Sequence, residues 1–311
     1  MRTDFDHLPA TKQRELDHVI QLLFEEFDGA HVEATGRRKK GKIVKIILYG
    51  SHARGGWVDE PHTAKGYRSD FDLLIIVSQK ELADRAAYWT RADERLIEEM
   101  IAGRLRTPVN FIVHSLQQVN DGLAHGRFFF MDIVREGIAI YEADDRELSK
   151  PMPKTPQANL QMAREYFDEW LPSSEGRVRL AKYAVEQGLL KHAAFEFHQA
   201  VEGLYNCVLL VCTFYTPHNH NILFLRTHAE RLDFRLIEAW PRELRKERAL
   251  FEKLKEAYVK ARYSKHYRIS IEELDWLAER IEELGRIVHA VCMERIVALQ
   301  VSAGTAAAPS N

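Results

Sequence analysis

Two aspartates and a glycine–serine pair are the residues of this chain whose types and spacing could do chemistry. Gly50 and Ser51 follow the apolar run 43–48, and Asp70 and Asp72 lead into a second apolar run. Because side chains alternate along a strand, the two aspartates point the same way, with Cα atoms roughly 6–7 Å apart. Hard carboxylate oxygens beside a turn whose backbone amides can hold phosphate outline a site for Mg²⁺ and a nucleotide.

The composition favours a soluble, cytoplasmic protein with two domains. A chain of 311 residues can hold two cores, and its 44 basic and 46 acidic residues leave no excess charge that demands nucleic acid or a membrane. Cys207, Cys212 and Cys292 lie among apolar residues without metal spacing, and we expect buried thiols. The charged N-terminus argues against a signal peptide, and the longest apolar run, around 208–211, is too short to span a bilayer.

Strands alternate with helices in the first half of the chain. This alternation predicts an α/β (α+β) domain with a mixed sheet over residues 1–149, with its core at 40–142. The expected strands are 43–49, 71–77, 109–114 and 138–141, and the expected helical segments are 11–27, 80–104 and 119–136.

A proline-rich segment at 150–157 separates the two halves. Pro151, Pro153 and Pro156 can continue neither a helix nor a strand, so this segment is the expected linker.

Beyond the linker the strand signal disappears. Apolar residues recur at helical spacing over 158–300 and predict an all-α bundle of about five helices. The small and polar tail 301–311 is expected to be disordered. The helical segments are 160–170, 177–187, 197–211, 222–232, 247–262 and 274–291.

The strand, the Gly-Ser turn and the Ser-Asp-x-Asp sequence together resemble the minimal nucleotidyltransferases of the polymerase-β-like superfamily. The resemblance implies that Gly50 and Ser51 contact the triphosphate of an NTP, expected to be ATP. It implies that Asp70 and Asp72 are catalytic and hold Mg²⁺, which neutralises charge on the leaving pyrophosphate. Arg54 either pairs with phosphate or caps the turn.

This chain departs from the family pattern in two places. The loop 56–68 is longer than usual, which suggests a lid or a substrate-binding segment. At the position of the family's third carboxylate stands Asn110, whose neutral amide cannot serve as a general base. His114 shares its strand face but lies about 13 Å further along. Nucleotide binding is therefore better supported than transfer. The basic cluster 37–40 is either a solvated loop or a phosphate contact.

The segments 195–205 and 217–225 resemble the HEPN domain, a helical bundle, over roughly residues 158–298. Many such domains are ribonucleases built on an arginine followed, after four to six residues, by a histidine. The nearest match here is Arg262 and His266, with three residues between them, and basic residues suit a helix C-terminus in any case.

A nucleotidyltransferase followed by a HEPN domain is also a toxin–antitoxin-like arrangement. In partner systems of this kind the transferase adenylylates a HEPN tyrosine, which points to Tyr263 or Tyr267.

A further histidine cluster lies in the helical half. His198 and Glu202 are one helical turn apart, so we expect either a binding role or a hydrogen-bonded pair inside the bundle. His198, His218 and His220 suggest zinc, but the pattern has no fourth ligand, and we reject a zinc site.

The leading hypothesis is transfer of a nucleoside monophosphate from an NTP to a hydroxyl of an unidentified acceptor, with Mg²⁺ as cofactor. The alternatives are a non-catalytic nucleotide sensor, favoured by Asn110, and a HEPN ribonuclease restrained by the fused transferase domain. We expect a homodimer through the helical domain, and RNA is left open as a partner. The acceptor follows from the fold and cannot be read from a local motif.

Overall fold

A computed structural model describes residues 1–31, 41–59, 69–217 and 220–306. The chain divides into two compact units, Met1–Pro153 and Lys154–Asn311. The basic cluster 37–40, most of the long loop and His218 lie outside the described residues.

The N-terminal unit combines helices with one four-stranded sheet, as the sequence predicted. Its helices are α1 (Ala10–His31), α2 (Gly50–Arg54), α3 (Arg85–Tyr88), α4 (Thr90–Ile101), α5 (Leu116–Ala124) and α6 (Phe128–Glu136). Its strands are β1 (Ile43–Tyr49), β2 (Phe71–Val77), β3 (Val109–Ser115) and β4 (Ile138–Glu142).

The sheet is mixed, with strand order β3-β2-β1-β4. Strand β1 pairs antiparallel with both β2 and β4, whereas β2 pairs parallel with β3. One face carries the odd-numbered residues of β2, among them Phe71 and Leu73, in a core with Leu16 and Leu23 of α1. Because side chains alternate, the even-numbered Asp72 lies on the opposite face.

Two long helical segments that the sequence predicted are interrupted. Segment 80–104 forms a 3₁₀ helix (Lys80–Ala83) followed by α3 and α4, and the side chain of Asp84 accepts bonds from two backbone amides to start α3. Segment 119–136 is divided between α5 and α6, and Gly126 adopts a left-handed φ of 63° in the connection. Local interactions at Asp84 and Gly126 therefore interrupt the two helical segments.

The C-terminal unit is helical, as predicted. Its α-helices are α7 (Pro156–Glu186), α8 (Leu190–Thr213), α9 (Ile222–Leu232), α10 (Arg245–Tyr263) and α11 (Ile271–Ala306). Contacts among α7, α8 and α11 form the centre of the bundle, and α10 packs on α8.

Helix α7 corrects the prediction of two separate segments, 160–170 and 177–187. It continues through Pro172, where the Ser174 hydroxyl donates a 2.7 Å hydrogen bond to the Trp170 carbonyl. A Cβ on Gly203 would lie 2.3 Å from Ser174 Oγ, so α8 approaches α7 closely at this point. Because α7 packs closely on α8, it continues as one helix through Pro172, although a proline inside a helix usually ends or kinks it.

Helix α11 corrects the expectation of a disordered C-terminal tail. It continues to Ala306, into the tail that was expected to be disordered. Among the described residues it is the one helix long and apolar enough to cross a membrane by length and composition, and core helices of soluble proteins satisfy the same criterion. The apolar stripe that includes Leu274, Leu277 and Ile281 is fully buried in the bundle.

Candidate functional site

Three polar side chains converge where β2 and β3 begin. Asp72 and Asn110 are directly paired in the parallel register of β2 and β3, so their side chains share a face. The Asn110 Nδ2 amide donates a 2.7 Å hydrogen bond to Oδ2 of Asp70. Asp72 is fully buried, whereas Asp70 is half-buried. Two carboxylates and an amide therefore form one polar cluster at this edge of the sheet.

The glycine turn closes over this cluster. Asp72 is paired with Tyr49 across β1 and β2, and Gly50 follows with a left-handed φ of 76°. A Cβ at Gly50 would lie 2.4 Å from Asp72 Oδ2, a distance that atoms cannot adopt. The position therefore needs glycine both for its backbone conformation and for the space that the buried carboxylate occupies.

The other two residues expected at the nucleotide lie on the short helix α2. The Ser51 carbonyl accepts the amides of Gly55 and Gly56, so a left-handed Gly55 caps α2. Arg54 is exposed, and its Nη1 lies 3.4 Å from Glu136 Oε2 on α6. The cap is therefore not supplied by Arg54, and its phosphate role stays a prediction.

One supporting residue was missed by the sequence analysis. His52 is fully buried on α2, and its Nδ1 donates a 2.9 Å hydrogen bond to the backbone carbonyl of Asp70. Its ring stacks on Trp57 at 5.6 Å with an interplanar angle of 8°. The hydrogen bond from His52 to the Asp70 carbonyl connects the glycine turn to the segment that carries the two carboxylates. Nothing in the local pattern marks it, because the two residues meet only through the pairing of β1 and β2.

His114 does not join the carboxylate cluster. It pairs with Ile76 near the far ends of β2 and β3, and its ring meets Phe130 of α6 edge-on at 5.4 Å. A substitute general base would have to lie near the two carboxylates, and the register keeps this imidazole four positions along the strand from Asn110.

In the helical unit, Arg262 and His266 differ in setting. The Arg262 guanidinium lies over three rings, at 4.5 Å from the centroid of Tyr258, 4.9 Å from that of Phe195 and 5.0 Å from that of Tyr263. His266 is exposed beyond the end of α10, and its backbone amide donates to Ser264 Oγ. Among the described residues, the side chains of Arg262 and His266 make no contact with each other.

The two tyrosines named as modification candidates also differ. Tyr267 is buried, and its hydroxyl donates a 3.0 Å hydrogen bond to the Lys253 carbonyl. Burial raises the pKa of this phenol, so it is a poor acceptor for any group transfer. Tyr263 is exposed at the end of α10.

The expected hydrogen bond between His198 and Glu202 is absent from the described structure. Their nearest nitrogen and oxygen atoms, His198 Nδ1 and Glu202 Oε2, are 3.9 Å apart, which is too far for a hydrogen bond. Glu202 instead accepts a 2.9 Å bond from His220 Nδ1 and a 3.0 Å bond from Gln199 Nε2. Burial lowers the pKa of His198 to about 4, so the ring is neutral near pH 7.

Comparison with known proteins identifies one domain. Residues 167–294 match the family model of the HEPN domain, so the C-terminal helical unit contains a HEPN domain. No curated protein matches the chain. The HEPN expectation from the sequence is confirmed over these residues, and the N-terminal unit is an α/β region with a mixed sheet.

Proposed function

We propose that the N-terminal unit is a Mg²⁺-dependent nucleotidyltransferase-like domain that transfers a nucleoside monophosphate from an NTP to an acceptor hydroxyl. The observation that carries the proposal is the cluster in which Asn110 bonds Asp70 and is paired with Asp72, beside the left-handed Gly50. A buried carboxylate next to a glycine turn is costly unless the site has a use for its charge. A divalent cation that bridges the carboxylates to a phosphate chain would use that charge.

The residues present fit a Mg²⁺ ion. Asp70 and Asp72 would hold it, since hard oxygen ligands are those that Mg²⁺ prefers, and it would offset charge on the phosphates. Within the described ranges no group of three or more His, Cys, Asp or Glu side chains converges in a metal-binding arrangement. The protein would therefore supply two carboxylates, and phosphate and water oxygens the remaining ligands.

Asn110 favours a nucleotide sensor as the second candidate function. Its amide occupies one oxygen of Asp70 through a 2.7 Å hydrogen bond, and it cannot accept a proton from an acceptor hydroxyl. An NTP held without transfer would then act through binding alone.

Calorimetric titration of the four NTPs with Mg²⁺, together with a pyrophosphate-release assay, tests both candidates. We expect ATP to bind in a metal-dependent manner, and the double variant Asp70→Asn, Asp72→Asn to lose that binding. Asp121→Asn, an exposed aspartate of α5, is the matched control and should bind as the unmodified protein does. Unchanged Mg²⁺–ATP binding in the double variant would refute the proposal.

Pyrophosphate release then separates the two functions. Steady release would exclude the sensor, whereas tight binding without release in the presence of candidate acceptors would favour it.

The HEPN domain is compatible with the alternative of a ribonuclease restrained by the fused transferase domain. Arg262 could stabilise charge on a phosphorane, but its stacking on Tyr258 and the exposed position of His266 do not assemble a pair. RNA cleavage that survives His266→Ala would exclude the pairing inferred from the sequence.

We also propose a cytoplasmic homodimer formed through the helical unit. Large apolar side chains are exposed there, and the exposed fraction of Tyr263 is 77%. A monomer mass at micromolar concentration in light scattering would contradict the dimer. The other exposed apolar residues of this unit include Leu180, Tyr183, Val259, Val297 and Val301.

A further inference from the structure

A cavity of about 830 Å³ lies between α10 and the first two turns of α11 in the helical unit. Its lining on α10 repeats at a spacing of four and three residues, so one face of that helix forms one wall. The segment that connects the two helices and the start of α11 form the other wall. A volume of this size suits a small organic molecule. Six of the side chains that line the cavity are Lys246, Leu250, Lys253, Arg268, Ile269 and Trp276.

The most buried part of this lining is apolar. Leu250 is 4% exposed and Ile269 is 8% exposed, and the indole of Trp276 is half-buried. The centroid of the Trp276 ring lies 6.4 Å from that of Trp240, which belongs to the core. The core thus supports Trp276 from one side, and its indole offers an aromatic surface to a ring that enters the cavity.

The carboxylates that line the cavity all have partners. Glu273 accepts a 2.5 Å bond from Lys253 Nζ and a 2.9 Å bond from the Ser270 amide. Glu272 bonds the Ser270 side chain. Glu247 accepts a backbone amide at the start of α10, at 3.1 Å. The protein itself therefore satisfies the acidic groups of this cavity.

Two cations of the lining differ in this respect. Over the described residues, neither Lys246 nor Arg268 forms an ion pair with a carboxylate. Lys246 acts on Glu273 through space only, and that carboxylate is bonded to Lys253. The Nη1 of Arg268 donates to two backbone carbonyls, which leaves Nε and Nη2 for another acceptor. The cavity thus combines an apolar surface with two cations that suit an anionic group.

We propose that this cavity binds a small aromatic carboxylate, whose ring packs on Trp276 and whose carboxylate bonds Arg268 and Lys246. A planar carboxylate matches the fork of a guanidinium, and an aromatic ring matches the apolar part of the lining. No residue of the N-terminal unit takes part, so binding here does not depend on the nucleotide site proposed in that unit.

The indole N–H signals of nitrogen-15-labelled tryptophan report on this cavity by nuclear magnetic resonance. The chain has 5 tryptophans, and Trp276→Phe assigns the signal of the residue that lines the cavity. Trp57 and Trp89 in the N-terminal unit and Trp170 on α7 are internal references. The probe is naphthalene-2-carboxylate. Naphthalene-2-carboxamide is its neutral counterpart, and acetate carries the carboxylate without the ring.

The naphthalene carboxylate should shift the Trp276 signal saturably, with a Kd of about 1 mM or below, as expected for a ligand of this size. The carboxamide should bind at least about fivefold more weakly, and acetate should leave the signal in place. No shift of Trp276 with the carboxylate at millimolar concentrations would overturn the site, as would equal shifts of Trp276 and the reference tryptophans. Equal affinities for the carboxylate and the carboxamide would overturn the assignment of an anionic ligand, and an equal effect of acetate would overturn the role of the ring.

Substitution of the two cations tests how the carboxylate is held. The double variant Lys246→Gln, Arg268→Gln should lower the affinity for the carboxylate to that for the carboxamide. Lys260→Gln changes another exposed lysine of α10, outside the cavity, and should bind as the unmodified protein does.

Because Arg268 also bonds two backbone carbonyls, its loss could loosen the segment before α11. Lys246→Gln alone is therefore the second variant, and it should weaken binding of the carboxylate about twofold or more while binding of the carboxamide stays constant. Unchanged affinity for the carboxylate in both variants would overturn the role of the two cations.

Discussion

The amide of Asn110 is hydrogen-bonded to the carboxylate of Asp70 at 2.7 Å, from a strand position that is paired directly with Asp72. The neutral residue is therefore an integral part of the carboxylate cluster. It holds one aspartate in place and adds no charge, which lowers the repulsion between the two acidic groups. Without a bound cation, this neutral third member favours the folded state.

Asn110→Asp should convert this stabilising contact into repulsion. We expect a lower melting temperature in EDTA, recovery in Mg²⁺, and Mg²⁺ affinity about tenfold higher, equivalent to about 1.4 kcal/mol. Calorimetry and thermal unfolding with and without the metal measure both effects. Asn120→Asp, the same substitution on α5, is the control and should show no metal-dependent recovery. If Asn110→Asp gains no Mg²⁺ affinity, its carboxylate does not reach the metal.

Gly50→Ala tests the turn above the buried carboxylate. The added Cβ would meet Asp72 Oδ2 at 2.4 Å, and alanine also disfavours a φ of 76°. Gly103→Ala isolates the backbone term, because Gly103 has a φ of 71° and no atom within 4 Å of its added Cβ. Urea unfolding should show a loss of about 1 kcal/mol for Gly103→Ala and about 2–4 kcal/mol for Gly50→Ala. NTP binding should fall only in Gly50→Ala, and equal losses for both variants would contradict close packing at Gly50.

The three thiols should be unreactive in the folded protein. Cys207 and Cys292 are fully buried with sulfurs 4.0 Å apart, and burial raises the pKa of Cys212 to about 11. A thiol reagent reacts with an accessible thiolate, so burial protects Cys207 and Cys292 and the raised pKa protects Cys212. Ellman's reagent at pH 8 should find almost no thiol in the native protein and all three after addition of denaturant. Rapid labelling without denaturant would show that the bundle opens readily.

The strands of the N-terminal unit could be predicted closely from the sequence. β1 and β2 have the predicted bounds, because each is a continuous apolar run ended by polar or turn residues. The shared face of Asp70 and Asp72 stays a prediction from the two-residue period of a strand, since β2 begins at Phe71. These features depend on local pattern alone.

The contacts that complete each site could not be predicted in this way. The bond from His52 to the Asp70 carbonyl requires the antiparallel pairing of β1 and β2, and the bond from Asn110 requires the parallel pairing of β2 and β3. For Glu202 and His198, one turn apart on the same helix, the sequence left open a binding role or a hydrogen-bonded pair. Glu202 bonds His220 instead, from the segment before α9, because the fold brings a more accessible donor to the carboxylate.

The stability of the helical unit should depend on pH through two buried histidines. Burial is the main cause that lowers the pKa of both His198 and His228 to about 4, whereas the ordinary pKa of a solvated histidine is 6.5. Between pH 6.5 and pH 4 the unfolded chain binds protons that the folded protein does not. The free energy of unfolding therefore falls as the pH falls through this window, by up to about 3 kcal/mol for each histidine, and the contribution is fully present above pH 6.5.

His198→Phe removes one of these protonation sites while it keeps an aromatic ring in the core. The free energy of unfolding, measured in urea between pH 7.5 and pH 4.5, should fall less steeply with decreasing pH in this variant. His125→Phe changes an exposed histidine and should reproduce the original slope. A slope that is the same in all three proteins would mean that His198 takes up its proton without unfolding, and its burial would then not oppose protonation in the native state.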